Sequence, residues 1–178
     1  MKLADYVMSF LAEKGVKTVF MLPGGGCMHL VDSLGRNKDL DYVCCLHEQA
    51  AAIAAESYAQ HTNNIGAALV TTGPGGTNTI TGISAAWIDP TSVIFISGQV
   101  KRSDLMGCSG VRQMGPQEVN IVPIVQSITK YATTVTEPQK IKAVLEEAYY
   151  LATTGRKGPV WINIPLDVQA AEIDVDTL

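Results

Sequence analysis

The chain has 178 residues, 47% of them hydrophobic and 17% charged, which describes one compact domain rather than a disordered segment. A net charge of −4, with no run of Lys or Arg longer than two, argues against nucleic acid or an anionic membrane surface as partner. No signal-length or membrane-spanning apolar run is present, so the expected location is cytoplasmic. Leu3, Tyr6, Val7, Phe10 and Leu11 recur at helical spacing before Gly15, and Thr18 to Leu22 then reads as a strand broken by Pro23-Gly24-Gly25-Gly26. A short helix is predicted from Met28 to Leu34 with Gly35 ending it. A strand follows from Tyr42 to Leu46, then an alanine-rich helix from about Gln49 to Gln60. Gly66 to Thr71 reads as a buried strand ending in Gly73-Pro74-Gly75-Gly76, Thr77 to Asp89 as a helix, and Ser92 to Ser97 as another buried strand.

Residues 99–117 lack clear periodicity and are expected to form a mobile loop. A helical segment interrupted by Pro123 is predicted from Glu118 to Ser127, a short strand from Ala132 to Val135, a helix from Pro138 to Thr153 and a closing strand from Val160 to Ile164. Residues 170–178 turn acidic, lose their period and read as a tail or a connection. Helices alternating with nearly continuous apolar strands imply an α/β fold: three layers, with a mainly parallel sheet of about six strands flanked by helices.

Glu48 stands where the strand 42–46 becomes a helix, at the sheet edge where open α/β folds bind ligands. On position alone a first-turn acid facing the helix dipole is the simpler explanation, and it is the other segments that favour a functional one. Two glycine-rich turns and this acid close three successive strands, and all three ends could line one crevice. Neither turn is a Walker loop or a GxGxxG fingerprint. His47 could assist Glu48, or simply cap the helix; His29, His47 and His61 are too scattered for a metal site. Cys27, Cys44, Cys45 and Cys108 form no CxxC pair and read as buried, reduced thiols. The alanines of residues 50–59 would let another helix approach closely, or belong to an ordinary buried helix.

Several stretches resemble one family in order along the chain: Leu22-Pro23-Gly24-Gly25, His47-Glu48-Gln49-Ala50-Ala51, Thr71 to Asn78, Ile96 to Val100, Gln117-Glu118, and Gly158 to Pro165. The chain resembles the N-terminal pyrimidine-binding domain of thiamine-diphosphate enzymes, in particular the acetolactate synthase group. The resemblance implies that Glu48 hydrogen-bonds N1′ of the cofactor's aminopyrimidine and favours the imino tautomer, which then deprotonates C2 to give the ylid that attacks a 2-keto acid. By the same resemblance Pro23 and Gly24 border the cofactor, Thr71, Pro74 and Asn78 line the pyrimidine pocket, and Gln117 reaches toward the substrate, with Glu48 and Gln117 the catalytic pair. Thiamine diphosphate is the implied cofactor, its Mg²⁺ held by a domain absent from this chain, with FAD a compatible addition. The implied partners are a small 2-keto acid, a diphosphate-binding domain of the same or another subunit, and a second copy of the chain.

Leu22 departs from the tyrosine usual in that group. The loop 101–116 is longer than its pattern and more resembles acetolactate-synthase-like proteins of surface-polysaccharide sugar pathways. The Gly-Asp-Gly…Asn diphosphate motif does not occur. The expected domain therefore spans residues 1–168, with 169–178 starting a linker. The implied function is cofactor activation in 2-keto acid decarboxylation and carboligation. A separately encoded subunit of a two-chain 2-keto acid decarboxylase and a non-catalytic assembly domain are the alternatives.

Overall fold

The computed structural model describes residues 1–178, Thr177 by its backbone alone. Six strands form one sheet in which every pairing is parallel: β1 (Thr18–Met21), β2 (Asp41–Cys44), β3 (Gly66–Val70), β4 (Val93–Gln99), β5 (Tyr131–Thr134) and β6 (Pro159–Pro165), in the order β2-β1-β3-β4-β6-β5. The helices are α1 (Leu3–Glu13), α2 (Met28–Arg36), α3 (Glu48–Thr62), α4 (Pro74–Thr77), α5 (Ile80–Ile88), α6 (Ile121–Val125), α7 (Ile141–Thr153) and α8 (Leu166–Gln169). The three-layer α/β fold expected from the sequence is the one observed.

The central strands are apolar throughout because both sheet faces are covered. Alternate residues of one strand serve two cores. Leu69, Ile94, Ile96 and Ile162 face the core built with α1, α2 and α7. Ala68, Val70, Phe95 and Trp161 face the core built with α3 and α5, where Phe95 and Trp161 stack at 5.9 Å. The alanines have their use inside the chain. Ala51, Ala52, Ala55 and Ala59 are buried, and a Cβ at Gly82 of α5 would lie 2.5 Å from the Ala52 Cβ, so the close neighbour of α3 is α5. The stripe is thus no free docking face.

Several boundaries differ from expectation for identifiable reasons. Strand β2 is an edge with one neighbour, and its ladder stops where Cys45 N donates to Met21 O, leaving Leu46 fully exposed. Gly35 lies inside α2, which ends at Arg36 with Asn37 as its cap. The helix expected over 77–89 is two: Thr79 Oγ1 donates to Gly76 O at 2.6 Å, a local side-chain bond that competes with helix continuation, and α5 begins after it. Pro123 occupies the third position of α6, where no intrahelical donor is missing, so it does not interrupt. Cys27 is buried, which raises its thiol pKa, but Cys44 and Cys108 are exposed, the former because β2 is the edge. Residues 171–173 pair with the N-terminus, Leu3 N donating to Ala171 O and Ile173 N to Met1 O, and Ile173 is buried. No helix among the described residues is long and apolar enough to cross a membrane.

Candidate functional site

The parallel sheet brings the C-terminal ends of β1, β2 and β3 to one edge, and with them the two glycine turns and Glu48. Thr71, just past β3, ties the turns together. Its Oγ1 accepts from Gly26 N at 3.0 Å. A Cβ at Gly24 would fall 2.5 Å from Thr71 Cβ, and one at Gly75 would fall 2.7 Å from Thr71 Cγ2. The first turn, Thr71 and the second turn can approach this closely only because both positions lack a side chain. Gly73 has φ +58°, and a Cβ there would meet Gln117 O at 1.9 Å, so the loop backbone at Gln117 lies against the second turn.

Glu48 is the first residue of α3. His47 caps that helix, its Nδ1 accepting from Gln49 N at 3.1 Å, and is exposed. The helix-capping role of His47 is therefore the one observed. Glu48 itself is buried at 8% exposure, and its Oε2 accepts from Asn78 Nδ2 at 2.9 Å. The break between α4 and α5 is what leaves Asn78 at this point. Glu48 Oε1 has no protein partner, yet it is not sealed in; the one enclosed side-chain polar atom without a partner among the described residues is Gln169 Oε1. On the side of the second turn Gly75 stands beside Oε1, a Cβ there falling 3.4 Å away. The carboxylate is thus fixed at one oxygen and open at the other.

Gln117 is exposed, has φ +59° and lines a cavity of ≈ 320 Å³ together with Gly25, Gly26, Thr72 and Gln99. Pro23 borders a separate hollow of ≈ 230 Å³ with Met21, Tyr42 and Cys44, while Pro74 is exposed at the start of α4. Two groups of this edge have no counterpart among the residues expected from sequence. Gln99 ends β4, buried, accepting from Thr72 Oγ1 at 2.6 Å and Val100 N at 2.9 Å and donating to Val119 O at 2.9 Å. A polar residue closing an apolar strand at the ligand edge was its available signal. Glu118 is buried and receives Met106 N at 2.6 Å on Oε1 and Met114 N at 2.8 Å on Oε2, which folds the loop 106–115 around it. Nothing in the local pattern marks Glu118, because its partners are backbone groups of a loop without period.

Residues 1–124 match the family described as thiamine pyrophosphate enzyme, N-terminal TPP binding domain. Among curated proteins the chain is 38% identical over 166 residues to a chloroplastic acetolactate synthase of Arabidopsis thaliana, covering 93% of the chain and 24% of that protein. It is 38% identical over 176 residues to a probable acetolactate synthase large subunit of Methanocaldococcus jannaschii, covering 99% and 29% respectively. To the acetolactate synthase large subunit of Lactococcus lactis it is 38% identical over 170 residues, covering 96% and 28%. The chain therefore spans about a quarter of the length of these relatives.

Proposed function

The chain belongs to the family of N-terminal TPP-binding domains of thiamine pyrophosphate enzymes, of the acetolactate-synthase-like kind, and from that premise we propose that it supplies the pyrimidine half of a cofactor site for 2-keto acid decarboxylation and carboligation. The observation that carries this reading is the half-engaged carboxylate: Glu48 is buried, held by Asn78 at Oε2 and open at Oε1. Such a group fits an aminopyrimidine, which needs one carboxylate oxygen at a ring nitrogen. Thiamine diphosphate, when bound, supplies the carbon nucleophile and electron sink of the reaction.

The residues of this chain orient and polarise. Asn78 spends its amide N–H on Oε2, so Glu48 keeps one rotamer and presents Oε1. With the cofactor bound, Oε1 would hold the proton shared with the pyrimidine N1′. Thr71, Gly24 and Pro74 shape the slot, with Pro23 at its margin, and Gln117 faces the substrate side from the loop. No group of three His, Cys, Asp or Glu side chains that could hold a metal converges among the described residues. Mg²⁺ with the diphosphate, and FAD where the enzyme carries it, fall to other domains in this reading. In this reading the domain proper is residues 1–168, with residues 169–178 starting the connection toward those domains after 171–173 pair back with the N-terminus. Tyr42, Val43, Leu46 and Ile53, all exposed, flank the Glu48 segment and are covered by a second subunit or domain.

The test is Asn78→Ala in the complete enzyme. Losing a hydrogen bond to a charged group of about 1.5–3 kcal/mol should lower turnover of a 2-keto acid by about 10- to 100-fold, with circular dichroism unchanged. Turnover equal to that of the unaltered enzyme would remove the Glu48–Asn78 pair from the mechanism.

A further inference from the structure

A second cavity lies at the opposite edge of the sheet from Glu48. It has a volume of ≈ 370 Å³ and is lined by Trp87, Ile88, Lys130, Arg156 and Lys157. Lys130 directly precedes β5, Arg156 and Lys157 precede β6, and Trp87 and Ile88 end α5. The residues before β5 and β6 lie at N-terminal strand ends, and the end of α5 leads into the start of β4, so this cavity shares no wall with the cofactor edge. We propose that it is a binding site for an organic phosphate carrying a planar ring, of the nucleoside diphosphate class.

Three features of the cavity support this assignment. The first is charge. Three cations line it and no carboxylate does, in a chain of net charge −4; Asp89, next along the chain, lines a neighbouring hollow that Lys157 also borders. Arg156 and Lys157 carry no ion pair or side-chain hydrogen bond among the described residues, which leaves both available to a ligand. An anion relieves the mutual repulsion of the three cations, and a guanidinium beside two ammonium groups matches phosphate oxygens in both fork and point-charge modes.

The second is order. Lys130 Nζ donates to Thr154 O at 2.8 Å, which fixes its long side chain while leaving two N–H donors for a ligand. A Cβ on Gly158 would stand 3.1 Å from Lys130 Cγ and 4.0 Å from Trp87 Cε3, so the lysine stem and the indole both pack against one bare glycine. The third is the apolar wall. Trp87 is 41% and Ile88 67% exposed, an uncommon cost for a surface with no covering group, and an indole face beside cations suits a stacked ring. The volume falls in the range of small-molecule sites, about 300–1,000 Å³.

The chain has two tryptophans, and Trp161 is fully buried, so quenching by a ligand in this cavity reports on Trp87. ADP is titrated into the 178-residue chain at low salt, with calorimetry in parallel. Saturable quenching with a matching heat is expected, at an affinity about tenfold or more above that of adenosine or inorganic phosphate alone, the scale of one charge-assisted hydrogen bond. The double variant Arg156→Gln with Lys157→Gln should weaken ADP by about tenfold or more and Trp87→Leu should weaken it too by heat, while Glu48→Gln at the other edge should leave it within about twofold. Absence of saturation, or inorganic phosphate binding as well as ADP, would overturn the proposal. So would a Glu48→Gln effect as large as that of the double variant, which would place the ligand in the cofactor slot.

Discussion

Glu118 offers a measurable test of how the loop beside Gln117 is held. The residue is 5% exposed, and its carboxylate accepts Met106 N at 2.6 Å and Met114 N at 2.8 Å, with Gly115 N at a longer 3.4 Å. The two short bonds join positions eight residues apart in the loop to a single side chain. Replacing Glu118 by Ala removes both acceptors, each worth about 1.5–3 kcal/mol as a bond to a charged group. Met114 is 56% exposed, so water replaces part of its loss, and we take about 3 kcal/mol for the pair. The loop adds little to either core, so the loss should show as local opening rather than a lower melting temperature. Amide hydrogen exchange at Met106 and Met114 should accelerate by about 100-fold in Glu118→Ala, since each 1.4 kcal/mol is a factor of ten. In Glu118→Gln one oxygen is kept and an amide N–H₂ meets the other donor, so one of the two positions should accelerate while the other stays protected. Unchanged protection at both amides in both variants would refute the role given to Glu118.

Other outcomes rest on contacts of the same kind. Gly82→Ala should destabilise the chain by about 1–3 kcal/mol, read as a lower denaturation midpoint, because its Cβ would stand 2.5 Å from Ala52 Cβ; an unchanged midpoint would mean that α3 and α5 can separate freely. Burial disfavours the charged form of Asp167, but hydrogen bonds from Arg102 and its positive charge outweigh this and hold the carboxyl below its ordinary pKa. That contribution is present above the unfolded carboxyl pKa of about 3.9 and disappears as pH falls through the lower folded value. The Arg102–Asp167 clamp between loop and α8 should therefore stay closed at about pH 5 and open on acidification below about pH 4, followed by the Arg102 amide resonance; a shift already complete at about pH 6 would contradict it. Calorimetry of the 178-residue chain with thiamine diphosphate and Mg²⁺ should give an affinity weaker than about 1 μM, since an open slot buries little of a small ligand; tighter binding would mean that the chain holds the diphosphate as well.

Strand and helix placement is readable in the sequence wherever one periodic signal decides it, as in α1, α7 and the doubly covered strands β3, β4 and β6. What local pattern cannot give is the outcome of competition. Leu46 continues an apolar run, yet an edge strand stops when its single neighbour does. Thr79 sits in a helical stretch and still breaks it, because its hydroxyl reaches Gly76 O. The convergence of Glu48 with both glycine turns can be anticipated from three strand ends in a parallel sheet, since topology alone gathers them. The Asn78–Glu48 bond spans 30 residues and depends on the break at Thr79, so only the family resemblance, not the spacing, points to Asn78. Gln99 is marked only as a polar residue closing an apolar strand, and Glu118 acts through backbone groups of a loop without period, which leaves no trace in residue types.

The central claim is that Glu48 is the carboxylate through which this domain activates the cofactor. It is tested most directly by the exchange rate of the C2 proton of thiamine diphosphate bound to the complete enzyme, measured by quench-flow and NMR for the unaltered protein and for Glu48→Gln. An amide fills the same space and can still pair with Asn78, but it cannot share or accept the proton at Oε1. Exchange should slow by about 10²- to 10⁴-fold with the cofactor still bound. Equal rates in the two proteins would contradict the role assigned to Glu48.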